Sequence, residues 1–291
     1  MQAEKLFASA ALLGEGASWD ADAQALWWVD ILGRKLYRAD PATGWIESWD
    51  QPTEIGASLA AADGRRVLVL RDRVELFDPA SVTRAVFWQG DEPATNRFND
   101  AALDRQGNLW VASMDFDATA PTGALWRVTQ AGEATRVLGG YAVINGPVFS
   151  PDGGTLYFAD TMAGRIMVCE YDAASGAVSD PRLFMALGPY EGLADGMAID
   201  AEGCLWVARI TAGRVTRYSP QGAAVTTVAV PVPMVTSCAF GGANLSNLYI
   251  TTARILLNDA DLGAYPDSGS VFCMATQARG LHVIPFHAGK S

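Results

Sequence analysis

The chain has 291 residues, half of them hydrophobic and 18% charged, with a formal net charge of −11. Such a hydrophobic content excludes a disordered chain. The acidic balance excludes nucleic-acid binding as a main function, since that needs clustered Lys and Arg against phosphate, and is read as a solubility feature. Two histidines, His282 and His287, both fall in the last ten residues. That leaves little material for a Ser-His-Asp triad or a His-rich zinc site, so both are expected at the surface or a strand edge. The four cysteines, Cys169, Cys204, Cys238 and Cys273, form no CxxC pair and read as buried free thiols. No run of 18 apolar residues spans a membrane, and Leu6–Leu13 is an apolar patch without a cleavage pattern. A cytoplasmic monomer is expected.

Single hydrophobic cores stop growing at roughly 250–300 residues, a limit that a repeat architecture avoids. From the N-terminus onward one pattern recurs: an apolar strand, a turn, a second apolar strand, then Gly, Pro or Asp. Leu26-Trp27-Trp28-Val29-Asp30 leads to Lys35-Leu36-Tyr37-Arg38, and Val67-Leu68-Val69-Leu70 to Val74-Glu75-Leu76-Phe77. Leu109-Trp110-Val111-Ala112 leads to Ala124-Leu125-Trp126-Arg127-Val128, and Leu156-Tyr157-Phe158-Ala159-Asp160 to Arg165-Ile166-Met167-Val168. Leu205-Trp206-Val207-Ala208 leads to Arg214-Val215-Thr216-Arg217-Tyr218, and Leu248-Tyr249-Ile250-Thr251 to Ser270-Val271-Phe272-Cys273. The six copies start 41 to 49 residues apart, the length of a four-stranded propeller blade of roughly 40–50 residues. Their β-branched and aromatic residues suit half-buried strands, and turns such as Asp63-Gly64 and Asp152-Gly153 suit tight hairpins. The pattern predicts an all-β, six-bladed β-propeller spanning residues 1–291 as one domain. Lys5–Ala11 is expected to close the ring by pairing near the C-terminus, at a segment such as His282–Phe286. The tryptophans are expected to pack between blades.

The innermost strand of each blade lines a propeller's channel and should precede each apolar pair. Four such segments hold polar residues among glycines: Leu13–Trp19, Asn96–Asp100, Ile144–Pro147 and Ala194–Met197. Each starts 10 to 14 residues ahead of its blade's apolar run, so Glu15, Asn99, Asn145 and Asp195 occupy equivalent places and should converge at one end of the channel. Carboxylates with an amide oxygen make a hard-oxygen metal site. Asn or Asp beside Gly is also ordinary turn chemistry.

The ordered set Gly14-Glu15-Gly16-x-x-Trp19, Asn96-Arg97-Phe98-Asn99-Asp100, Asn145-Gly146-Pro147 and Asp195-Gly196-Met197 resembles the gluconolactonase, senescence-marker-protein (regucalcin) and luciferin-regenerating-enzyme family. The resemblance runs from about Leu13 to Phe272 and implies a propeller that hydrolyses an aldonolactone with one divalent cation: calcium, zinc, manganese, magnesium or iron(II). It implies Glu15, Asn145 and Asp195 as metal ligands, with Arg97 and Asn99 contacting substrate or water. Asp117 matches an acidic residue that contacts sugar hydroxyls, and Asp115 competes for that place. Ala17 and Ile144 depart from the usual Pro and Thr beside the ligands. Thr251-Thr252-Ala253-Arg254 is similar to bacterial sugar-acid lactonases. Asp195 would also be the general base on water, and Arg97 has a second reading as a structural arginine paired with Asp100 or another carboxylate. Two other functions share these ligands: a non-catalytic calcium-binding propeller, and an aryl-esterase-like hydrolase walled by the loop Arg254–Tyr265.

Overall fold

The computed structural model describes residues 1–188 and 190–289. The paired apolar runs form the middle strands of six antiparallel sheets set around a channel as blades, a six-bladed β-propeller. Blade one runs outward through Gly14–Asp20, Ala25–Asp30, Lys35–Asp40 and Trp45–Asp50. The inner strands of the next four blades are Ile55–Ala60, Asn96–Leu103, Ile144–Phe149 and Leu193–Ile199. Blade six comprises Val235–Gly241, Asn247–Thr252 and Val271–Ala275, and the N-terminal strand Glu4–Phe7 completes it from outside. The two ends of the chain therefore share one sheet, and the ring closes on backbone hydrogen bonds.

The buried apolar side chains fall into six clusters, each joining two neighbouring blades. A single blade has two apolar faces and can bury neither alone. Trp28 is fully buried between blades six and one, stacked at 4.9 Å on Tyr37 and 5.8 Å on Phe7. Trp27, Trp110 and Trp206 are equally enclosed, as interblade packing requires. Asp104 and Asp200 staple the turns of blades three and five. Each accepts two backbone N–H groups and the indole N–H of the tryptophan six residues on, so the buried indole nitrogen has a partner. The cysteines are free, with Cys169, Cys204 and Cys238 buried.

The ring closure differs from expectation in its partner strand. Glu4–Phe7 pairs with Val271–Ala275, whereas His282–Phe286 crosses the far face of the ring as a strap. Gly280 bridges to Asp200 of blade five, and the Phe286 N–H donates to Ala60 O of blade two at 2.9 Å. Phe286 is fully buried between blades two and three, edge-on to Phe87 at 5.1 Å. With Glu4–Phe7 on the outer edge of blade six, the strap is held instead by the Phe286 ring it buries between two other blades. His282 and His287 are exposed on this strap. The one α-helix among the described residues, Asp259–Ala264, lies in the loop between two strands of blade six and is capped by Asn258. No helix among the described residues is long and apolar enough to cross a membrane.

Candidate active site at the head of the channel

Every inner strand breaks register near its start: between Glu15 and Ser18, Ile55 and Ala57, Phe98 and Asp100, Asn145 and Val148, Ala194 and Met197, and Val235 and Ser237. A bulge bends the strand and re-aims a side chain. The six bulges lie at one level, where Glu15, Asn99, Asn145 and Asp195 form a polar ring, while Ile55 packs in the apolar cluster of blades one and two and the Thr236 hydroxyl donates to Gly14 O. The glycines that follow are needed by this crowding. Gly146 has φ +53°, and a Cβ there would lie 2.8 Å from Met197 N; a Cβ on Gly196 would lie 2.5 Å from Ser237 Oγ.

Glu15, Asn99, Asn145 and Asp195 are all buried, and the structure brings them together as the repeat implied. Asn99 Nδ2 donates to Asn145 Oδ1 at 2.5 Å and to Ile144 O at 3.0 Å. Asn145 Nδ2 donates to Thr161 Oγ1 at 3.1 Å, and that hydroxyl donates to Ala194 O at 2.9 Å. Thr161 thus fixes the Asn145 amide with its oxygen towards the ring. Arg97 NH1 donates to Asn99 Oδ1 at 2.7 Å and to Phe98 O at 3.2 Å, so its hydrogen bonds orient the amide and do not pair with Asp100. Asp100 instead accepts from Gly146 N at 2.7 Å and Ala101 N at 2.8 Å.

The electrostatics are those of crowded, dry carboxylates. Burial, then the Asp195 and Asp100 carboxylates, push Glu15 well above the usual range. Burial, then Asp100, push Asp195 up as well, against the pull of Arg97. Burial alone raises Asp100 to about 6, despite its two backbone N–H donors. Two adjacent buried carboxyls of this kind need a proton or a cation between them. Among the described residues no three His, Cys, Asp or Glu side chains cluster closely enough to hold a metal ion. Glu15, Asp195 and the amide oxygen Asn145 Oδ1 are the residues here that could hold a divalent cation, as hard-oxygen donors.

Asp115 and Asp117 separate clearly. Asp115 is buried, and its Oδ2 accepts from Thr119 N at 2.9 Å, Thr119 Oγ1 at 3.1 Å and Ala120 N at 3.0 Å. It is committed to its own loop, while Asp117 stays exposed on the mouth side. Beneath the ring a cavity of about 340 Å³ runs down to the strap, with Gly16, Asp100 and Gly146 in its ceiling and Val283 and Ile284 in its floor. Sequence reasoning missed Thr161, which lies on a turn outside the inner-strand motifs.

A six-bladed propeller with a buried carboxylate and amide ring at the head of its channel defines a class of channel-site β-propellers. Within it, residues 13–254 match the model of the SMP-30/gluconolactonase/LRE-like region, and the chain belongs to that family. It is 34% identical over 281 residues to L-arabinolactonase of Azospirillum brasilense, covering 94% of this chain and 92% of the relative. It is 36% identical over 252 residues to pentonolactonase XacC of Haloferax volcanii, covering 83% and 81%. Among solved structures, the calcium-binding protein regucalcin of Agrobacterium tumefaciens superimposes with a TM-score of 0.93 at 30% identity, over 99% of this chain and 97% of that one.

Proposed function

We propose that this protein hydrolyses a sugar lactone to its aldonic acid, using one divalent cation held by Glu15, Asn145 and Asp195. The observation that carries this reading is the pair of adjacent buried carboxyls, Glu15 and Asp195, at inner-strand positions equivalent to that of Asn145, whose amide Thr161 and Asn99 hold in place. The relatives named L-arabinolactonase and pentonolactonase support it. An all-oxygen set fits calcium, magnesium or manganese by hardness, and family membership also allows zinc and iron(II).

When bound, the cation would polarise the lactone carbonyl and stabilise negative charge on its oxygen. Asp195 then takes the proton from the attacking water. A carboxylate beside a cation is a weak base, but a strained ester needs only a weak one. Asn99, fixed by Arg97, Asn145 and Ile144 O, orients the water or a ring hydroxyl. Arg97 adds positive charge where the tetrahedral intermediate is negative, and exposed Asp117 accepts sugar hydroxyls at the mouth.

Replacing Asp195→Asn should lower kcat by at least about a hundredfold, the lower end of a general base's contribution. Metal affinity measured in parallel separates loss of the base from loss of the ligand. Near-wild-type turnover with the cation bound would remove Asp195 from the base role.

A further inference from the structure

The mouth of this site holds a guanidinium that neither the ring nor the fold uses fully. Arg34, Arg71 and Arg97 surround one buried carboxylate, Glu54. Glu54 is already engaged: Oε1 accepts from Arg34 NH2 at 3.0 Å and Oε2 from the Thr53 hydroxyl at 2.7 Å. Arg71 reaches it only at 3.8 Å, and its one side-chain hydrogen bond goes to Ala94 O at 3.1 Å. Two other nearby carboxylates are occupied. Asp72 pairs with Arg73 at 3.0 Å, and Glu92 accepts from Asn96, Ser113 and Trp126. Asp117, next to Phe116, and Asp91, between Gly90 and Glu92, are exposed.

Arg71 is nevertheless held in position. Its backbone oxygen accepts from Phe98 N at 2.8 Å, and its guanidinium lies 5.3 Å from the centre of the Phe116 ring. Arg97 lies 5.9 Å from the same ring centre. One exposed aromatic therefore links the guanidinium next to Asn99 with a second one that is 39% exposed. An arginine has five N–H donors in a rigid fork suited to oxyanions. Arg71 uses one of them in its hydrogen bond to Ala94 O, and it directly follows Leu70, the strand partner of Ile55 at the head of blade two.

We propose that Arg71, seated on Phe116, binds an anionic substituent at the end of the lactone remote from its carbonyl, so that the preferred substrate is a negatively charged sugar lactone. A carboxylate and a phosphate present the same oxyanion chemistry to this fork. The proposal rests on the lactonase reading above and narrows its substrate class.

The test compares gluconolactone, its 6-phosphate and the lactone of the corresponding diacid, with the metal-loaded protein at low salt. The quantity read is the ratio of kcat/KM for each anionic lactone to that of the neutral one, from which any loss of folded protein cancels. A charge-assisted hydrogen bond contributes about 1.5–3 kcal/mol, or roughly tenfold to a hundredfold in rate. The wild-type ratio should exceed about ten for at least one anion, and the larger ratio identifies which. Arg71→Met should bring it down by about that factor, and Arg71→Lys by less, because charge remains while the fork is lost. A wild-type ratio near one, or a ratio unchanged in Arg71→Met, overturns the proposal while gluconolactone turnover leaves the lactonase reading standing. Hydrolysis of none of the three overturns this proposal, and the lactonase reading falls with it only if a pentonolactone assayed alongside is also left intact.

Discussion

At the scale of single residues, the site is governed by the cost of burying charge. The raised affinities of Glu15, Asp195 and Asp100 for protons mean that the metal-free folded protein holds protons that the unfolded chain releases above about pH 4. Such groups contribute stability that is present below the unfolded value and lost as pH rises through the folded one. For Asp195 that window ends near pH 8, where its folded value stands at about 8. The metal-free protein should therefore melt at progressively lower temperature from pH 5 to pH 8, with a shallower slope in Asp195→Asn. A cation binds the deprotonated carboxylates, so its stabilising effect should grow over the same range and should release protons into unbuffered solution. Thermal unfolding with chelator and with added calcium checks both. A melting temperature that is flat with pH and indifferent to metal would mean the carboxyls are not crowded as described. Glu15, Asn145 and Asp195 were legible in sequence because their motifs recur in step with the strands. Thr161 and Arg71 were not, because each acts from a turn between strands, where spacing carries no periodic signal.

At the scale of elements, the bulge and the strap shape the channel. The bulges were half legible: the glycines after Glu15, Asn145 and Asp195 signalled irregular backbone, but blade three carries Asp100 at that place and blade six Ser237. The strap was not legible. Residues 276–289 show no alternation, and tertiary contacts at Gly280 and Phe286 hold them. The ring of Phe286 is wholly buried between two blades, so Phe286→Ala should cost about 3–5 kcal/mol by leaving a cavity. A urea midpoint lowered in proportion is the expected result. A loss below about 1 kcal/mol would show that the strap lies on the surface without packing into it.

At the scale of the whole molecule, six weak units become stable by closing. The count of blades was readable because each unit repeats a pair of apolar strands at near-constant spacing, several of them after a Gly-containing turn such as Asp63-Gly64 or Asp152-Gly153. The closure was readable in kind, since some terminal strand had to complete a blade, but not in partner. Both Val271–Ala275 and His282–Phe286 are short apolar segments, and only burial in three dimensions decides which one offers a free edge to Glu4–Phe7. The ring in turn sets six inner strands at one level, and that level is where the carboxylates and amides meet.

The most direct test follows acid release from a panel of aldonolactones by pH indicator, using metal-stripped protein with calcium, magnesium, manganese, zinc or iron(II) added back in turn. Hydrolysis above the spontaneous rate that vanishes on chelation and returns with a divalent cation is the predicted result. Tight cation binding without acceleration of any sugar lactone would contradict it, and would leave a metal-binding propeller or an esterase of another class in its place.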